Sequence, residues 1–231
     1  MVLACATVAL GSGACDRHQG PTEAMVQRLL AQATPDTWQD LDPAVPGRRK
    51  RDPRSGVVFV KVAGEHPLWL AESELTVAQW RSYVAEFAGH ELPLPADDSL
   101  PAPASFDDAR EYCLRFGYRL PTEAEWEAAC RAGLEDAAAP WRDPQSLAAH
   151  AWFHQTAGDA PHAVMTRTAN PWGLYDMLGN VWEWCDAEVG TDRVLRGGSW
   201  FTNPAPNPKL RTQAAGESRN SFYGFRPARD L

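Results

Sequence analysis

The chain has 231 residues, 44% of them apolar and 23% charged, with a formal net charge of -8. That length and composition suit one sizeable globular domain plus a tail. The acidic balance excludes a general nucleic-acid binder, whose affinity rests on a basic face, and leaves peptides, proteins or small molecules as partners. Ten tryptophans beside 19 prolines and 17 glycines indicate a loop-rich fold pinned by large aromatic side chains.

Residues 1–15, MVLACATVALGSGAC, carry no charge. The run is too short to span a membrane as a helix and has the form of the apolar core of a secretory signal. Gly11-Ser12-Gly13-Ala14 before Cys15 matches a bacterial lipoprotein cleavage site, with Cys15 as the lipidated residue. Two features depart from that pattern: no Lys or Arg precedes the apolar run, and Ser12 stands where Leu is usual. On this reading the protein is exported, periplasmic or at the cell surface, and meets a membrane only through a lipid anchor. A buried N-terminal strand is the alternative. Residues 16–55 read as a tether. A short helix from Pro21 to Leu30 is followed by prolines at 35, 43, 46 and 53, and Arg48-Arg49-Lys50-Arg51 reads as a solvated linker charge run.

The domain is expected over 56–231. Val57–Val62 and Leu68–Leu70 predict two strands. Three helices follow, each with the same start and stop chemistry: Thr76 with Gln79 to Gly89, Ser105 with Asp108 to Gly117, and Thr122 with Glu125 to Gly133. In each, a hydroxyl caps free backbone N–H groups, the residue three along reaches back, and a glycine ends the helix. Val77, Trp80, Val84 and Phe87 share one face of the first. Phe106, Ala109, Cys113 and Phe116 share one face of the second, so Cys113 reads as a core residue. The five cysteines form no zinc spacing, and the three in the domain (113, 130 and 185) allow at most one disulfide. Residues 134–169 read as irregular. His150 and His154 are four apart, a metal spacing if the segment were helical, but nearby Gly158 and Pro161 favour a loop or short helix.

Asn170–Trp184, NPWGLYDMLGNVWEW, holds three tryptophans and two glycines. Gly179-Asn180 marks a tight reversal, and Val181–Trp184 a short aromatic strand. A buried carboxylate at Glu183 needs a partner. A cation in an oxygen shell shared with Asn180 and loop carbonyls would serve, which suits calcium; hydrogen bonds or solvent would also serve. Arg193–Phe201 predicts a strand entering a Gly197-Gly198 bend, and Tyr223–Arg226 another short aromatic strand. The polar, proline-rich stretch 202–222 between them reads as a surface loop on a rigid scaffold, the usual place for recognition.

Three blocks in order carry a family resemblance: Arg119–Glu127 (RLPTEAEWE), Gly173–Trp184 (GLYDMLGNVWEW), and Arg196–Trp200 (RGGSW) with Gly224-Phe225-Arg226. Together they resemble the sulfatase-modifying-factor domain, the family of the formylglycine-generating enzyme. The resemblance implies an irregular, loop-rich α+β fold related to C-type lectins. It also implies a calcium site at Leu178, Gly179, Asn180, Val181 and Glu183. For a second calcium site the family uses an Asn just before a Trp, where this chain has His150-Ala151-Trp152.

The resemblance also locates a departure. The family's enzyme binds Cu(I) through two cysteines shortly after RGGS, since soft thiolates suit that ion. Thr202 and Asn207 stand at those positions, and no cysteine follows Cys185, so copper is not expected and formylglycine-generating oxidase activity does not carry over. Thr212 and Pro227 stand where disulfide-bearing members have the cysteines that partner the equivalents of Cys113 and Cys130. The resulting expectation is a binding or accessory module. Its recognition surface is drawn from Trp200, Phe201, Asn203, Asn207, Arg211, Arg219, Phe222 and Tyr223, with Trp184 and Ser199 lining the cleft. In relatives that diversify their sequence, that segment carries the variable residues. The alternative is an oxidoreductase of the same family acting on a peptide or small molecule through His150, His154, His162, Asp159 or Ser199.

Overall fold

A computed structural model describes residues 37–231, except 43, 46, 65 and 85–93. Cys15, the apolar start, the helix to Leu30, Phe87 and the expected helix end at Gly89 therefore lie outside the described residues. The strands are β1 Gln39–Asp40, β2 Arg49–Arg51, β3 Val58–Val62, β4 Leu68–Ala71, β5 Trp182–Val189, β6 Asp192–Arg196, β7 Arg211–Ala215, β8 Tyr223–Gly224 and β9 Ala228–Asp230. One sheet has the order β1-β2-β3-β4-β9, antiparallel throughout. The other has the order β7-β6-β5-β8, with β5 and β8 parallel. Helices α1 Val77–Tyr83, α2 Phe106–Phe116 and α3 Glu123–Arg131 lie between β4 and β5 in sequence, and the short α4 Pro144–Ala148 and α5 His154–Ala157 follow them before β5.

The three long helices begin as their sequence dictates. Gln79, Asp108 and Glu125 each donate a backbone N–H to the hydroxyl of Thr76, Ser105 and Thr122, and each side chain accepts the cap residue's own N–H in return. These reciprocal bonds satisfy backbone donors that the first helical turn leaves free. Helix α2 ends on a left-handed Gly117, as expected, whereas α3 turns left-handed one residue early, on Ala132. Strand β5 runs to Val189, beyond the four residues read from sequence, because β6 pairs with it through an irregularity between Trp184 and Glu188.

The folded unit begins before Gly56. Trp38 is buried against Phe59, with ring centroids 4.6 Å apart, and β1 and β2 extend the first sheet into the stretch read as a tether. Arg49-Lys50-Arg51 form β2 rather than a solvated linker, for a physical reason. Arg49 reaches Glu72 at 2.6 Å and Lys50 lies over the Trp69 ring, so these side chains keep their charges near solvent while their stems cover the sheet.

The core has two parts. One gathers Trp80, Tyr112, Phe116, Trp184 and Phe225; the other gathers Trp126, Leu147, Phe153, Leu174 and Leu178. Cys113, Cys130 and Cys185 are buried free thiols. They pack as small apolar side chains, and burial pushes all three thiols up.

The entry to β3 is locked by buried Asp52, which accepts from Arg54 Nη2 and from the Tyr118 hydroxyl at 2.5 Å each. Burial pushes its carboxyl upward, but the Arg54 and Tyr118 hydrogen bonds prevail and hold it below the usual range. A carboxyl depressed in the folded state stabilises fully above its unfolded pKa of about 3.9, and that contribution is lost as pH falls through the folded value. Asp52→Asn is therefore expected to cost about 1–3 kcal/mol at pH 7. The gap from wild type should narrow as pH falls below the unfolded carboxyl's value of about 3.9 and through the lower folded one. Urea unfolding at pH 7 and in that acid range reads this, and a pH-independent gap would refute it.

Candidate functional site

The Asn170–Trp184 stretch is a chain of reversals held by its own polar groups. Asn170 accepts from the N–H groups of Trp172 and Leu174, and its amide donates to the Ala129 and Cys130 carbonyls. Asp176, Gly179 and Asn180 take positive φ. At Gly179 a Cβ would stand 2.1 Å from the Trp152 carbonyl oxygen, so only glycine allows the two backbones to meet. Asn180 is fully buried and acts as a junction. Its N–H donates to Trp152, its carbonyl accepts from Trp200, and its side chain spans the backbone of His162.

Glu183 points inward from β5. Trp126 Nε1 donates to it at 2.7 Å, and Arg226 grips it through Nε at 3.0 Å and Nη2 at 2.7 Å. Arg226, 0% exposed, also donates to the carbonyls of Ala71 and Tyr175. Burial alone would weaken its charge, but Glu183 beside it raises its pKa. Two further buried carboxyls share this interior. Glu74 meets Asn180 Nδ2 at 3.5 Å and the Val181 N–H at 3.4 Å, both at the limit of hydrogen bonding. Burial, then Asp176 and Glu183, push it well above the usual carboxylate range. Asp176 accepts from the Met165 N–H at 2.7 Å through one oxygen, while the other is buried without a hydrogen-bond partner. Burial pushes Asp176 up to about 6.

This geometry bears on calcium. Both oxygens of Glu183 already accept from protein donors, as does the side-chain oxygen of Asn180. As folded, the Glu183 and Asn180 side chains of the expected shell are held by protein donors. Asp176 Oδ1, close by in sequence, is a buried side-chain acceptor without a hydrogen-bond partner. Among the described residues, no three His, Cys, Asp or Glu side chains converge closely enough to hold a metal. Sequence reasoning passed over Glu74, Asp176 and Arg226. The available signal was Asp176 and Glu183 as the two carboxylates of the 173–184 block and Arg226 closing Gly224-Phe225-Arg226; Glu74, beside Glu72 and Ser73, lies outside those blocks.

Of the residues expected to form a recognition surface, the structure brings four together. Phe201 packs edge-on to Trp200, Trp200 to Phe222 and Phe222 to Tyr223, with centroids 5.2–6.3 Å apart. Phe201 is 61% exposed. His154, on α5, meets the Phe201 edge and extends the run. Trp184 and Ser199 are buried, so they support this surface from below: Trp184 packs under Tyr223 and donates to the Ala104 carbonyl. Arg211 and Arg219 are engaged elsewhere, with Glu123 on α3 and Asp108 on α2. Asn203 is exposed, while Asn207 accepts from the Lys209 N–H and shapes a local turn. Thr202 accepts from the Ser199 N–H at 2.7 Å and closes the bend after Gly198.

The three histidines do not form one cluster. His150 Nδ1 meets the Thr168 carbonyl, His154 faces Phe201, and His162 stacks on Trp152 with its Nε2 on the Ala157 carbonyl. Asp159 is exposed in a turn with positive φ.

Two small sheets, capped helices and an aromatic-rich loop on a buried polar junction define an irregular α+β domain of the C-type-lectin-like class. Two solved structures share the fold at low identity. The Treponema denticola variable protein 1 has a TM-score of 0.65 and 22% identity, over 81% of this chain and 100% of that one. PvdO from Pseudomonas aeruginosa has a TM-score of 0.66 and 20% identity, over 81% and 99%. Residues 59–231 match the Sulfatase-modifying factor enzyme 1-like domain, and the chain belongs to that family. Among curated relatives, the inactive C-alpha-formylglycine-generating enzyme 2 of Bos taurus is 42% identical over 144 residues, covering 54% of this chain and 48% of that protein. The formylglycine-generating enzyme of Thermomonospora curvata is 33% identical over 165 residues, covering 54% of each. The chain thus spans about half the length of these relatives.

Proposed function

We propose that this chain is a formylglycine-generating-enzyme-like domain that binds rather than oxidises, exported and presenting the 200–223 segment to a peptide or protein ligand. The observation that carries the reading is the run His154, Phe201, Trp200, Phe222 and Tyr223, with Phe201 largely in water. Rigid aromatic rings flanked by Asn and Ser offer large contact area at small entropy cost, the pattern of interface hot spots. Thr202 and Asn207, where thiolates would be needed for Cu(I), are used in local turns. Export is inferred from the uncharged apolar start and Cys15. The similarity to a protein named as inactive agrees with a non-catalytic role.

Two measurements test this. A Cys-Xaa-Pro-Xaa-Arg peptide incubated with the protein and Cu(I) is expected to keep its thiol; conversion to formylglycine would refute the reading. Peptides selected by display against the protein are expected to lose about tenfold or more in affinity with Phe201→Ala/Trp200→Ala. Failure to select any binder, or binders indifferent to these changes, would remove the recognition surface.

A further inference from the structure

Strand β7 stands at the outer edge of its sheet, with β6 on one side. Among the described residues its 211–215 backbone makes no hydrogen bond outside the β6 pairing, except that the Ala215 carbonyl accepts the Ser218 N–H. None of its five residues is buried, whereas Val194 and Leu195 of β6 are fully so. Alternate N–H and C=O groups of an edge strand point away from its neighbour and remain free to pair.

Edge strands usually carry a defence against such pairing: a lysine, a proline or a bulge. The Arg-Thr-Gln-Ala-Ala sequence of β7 has no lysine or proline, and its register with β6 is unbroken. Its one charge, Arg211, is held by both oxygens of Glu123. The edge is also fixed at both ends. Arg211 ties its start to α3, and the Gly216 carbonyl beyond its end accepts the Phe106 N–H of α2 at 2.9 Å. A strand already held in place loses little entropy when another joins it.

The charges flanking β7 select what joins it. Lys209 precedes the strand and Glu217 follows it; both are exposed, and neither makes an ion pair among the described residues. The Lys209 charge is felt at Asp136, which Arg131 already pairs. Two copies of β7 laid antiparallel, so that all five residues pair, place Gln213 opposite itself and Arg211 opposite Ala215. That same register sets Lys209 of each copy opposite Glu217 of the other. Opposite charges across two strands are favourable and like charges costly. A register centred on Arg211 would oppose two guanidiniums, and one centred on Ala214 would set Lys209 against Arg219. The edge is thus self-complementary about a two-fold axis, the arrangement of an isologous dimer.

We propose that β7 is a homodimer interface: two copies of the chain join edge to edge, antiparallel about Gln213, with a Lys209–Glu217 pair at each end. The contact is small, so the association belongs to the weak, concentration-dependent class. His154, Trp200, Phe201, Phe222 and Tyr223 all lie outside 209–217, so the inference does not rest on the recognition reading. Sedimentation velocity on the full chain over a rising concentration series tests it. The wild-type protein is expected to shift from monomer to dimer, and the affinity to fall several-fold between about 0.05 M and about 0.5 M salt as the end pairs are screened. Lys209→Glu and Glu217→Lys should each weaken dimerisation about tenfold, because the two-fold axis repeats the like-charge clash at both ends. The double variant Lys209→Glu/Glu217→Lys exchanges the charges and should return the affinity to within about threefold of wild type. A monomer at every concentration, a dimer unmoved by either single reversal, or a double variant no tighter than the single ones would each overturn the proposal. Circular dichroism is expected to show the variants folded, since both positions are exposed. Should Lys209→Glu unfold the protein, Glu217→Lys and the salt series decide the matter.

Discussion

Replacing Arg226 with methionine is expected to destabilise the domain by about 3–5 kcal/mol, seen as a lower guanidinium chloride midpoint at unchanged slope. Methionine retains much of the length and removes the charge. Glu183 would then be left with the Trp126 N–H as its one remaining side-chain donor, still 1% exposed. The carbonyls of Ala71 and Tyr175 would lose their guanidinium donors as well. Breaking one half of a buried ion pair is costly because the other half stays charged in a poor solvent. Since domains are stable by only about 5–15 kcal/mol, the loss is a large fraction of the total. The double variant Arg226→Met/Glu183→Leu should recover part of it, because no orphan charge remains. A single-variant loss under about 1 kcal/mol would show that the pair does not hold the fold together.

Gly179→Ala is the second large effect, expected at about 2–4 kcal/mol. Two penalties combine. The residue has φ +81°, which disfavours any side chain, and a Cβ there would stand 2.1 Å from a backbone oxygen. That oxygen belongs to Trp152 and accepts the Asn180 N–H at 2.7 Å, so moving it opens the junction under the Trp200 loop. Gly173→Ala is the control. It shares a positive φ, +88°, but has nothing within 4 Å of a Cβ, and its cost should stay near about 1 kcal/mol. Equal melting shifts for the two variants would refute the close-approach argument.

Much of the scaffold was legible from the chain because its signals are local. The helix caps lie three residues apart, the aromatic strands bear large side chains, and Gly179-Asn180 reads as a reversal. The candidate site was less legible. The motif nominated Glu183 and Asn180 as ligands by position, yet both side chains are engaged by groups distant in sequence: Arg226 lies 43 residues from Glu183, and His162 lies 18 from Asn180. Arg211 and Arg219 looked like recognition residues because they fall in a polar loop. Their charges are paired with Glu123 and Asp108, 88 and 111 residues away. The basic 48–51 run looked like a linker because its charge was visible, while its place beside β3 and Glu72 was not.

By itself, the sequence determined where helices start, where the backbone must reverse, and that no cysteine follows Cys185. Each of these depends on residue type and short-range geometry. Only the tertiary structure decided which carboxylate is paired and which is left open. It joined His154 to the aromatic run and set β7 at the edge of its sheet. The physical reason is that hydrogen-bond capacity and burial depend on every neighbour in space, so a residue's spare capacity appears only when all of them are in place.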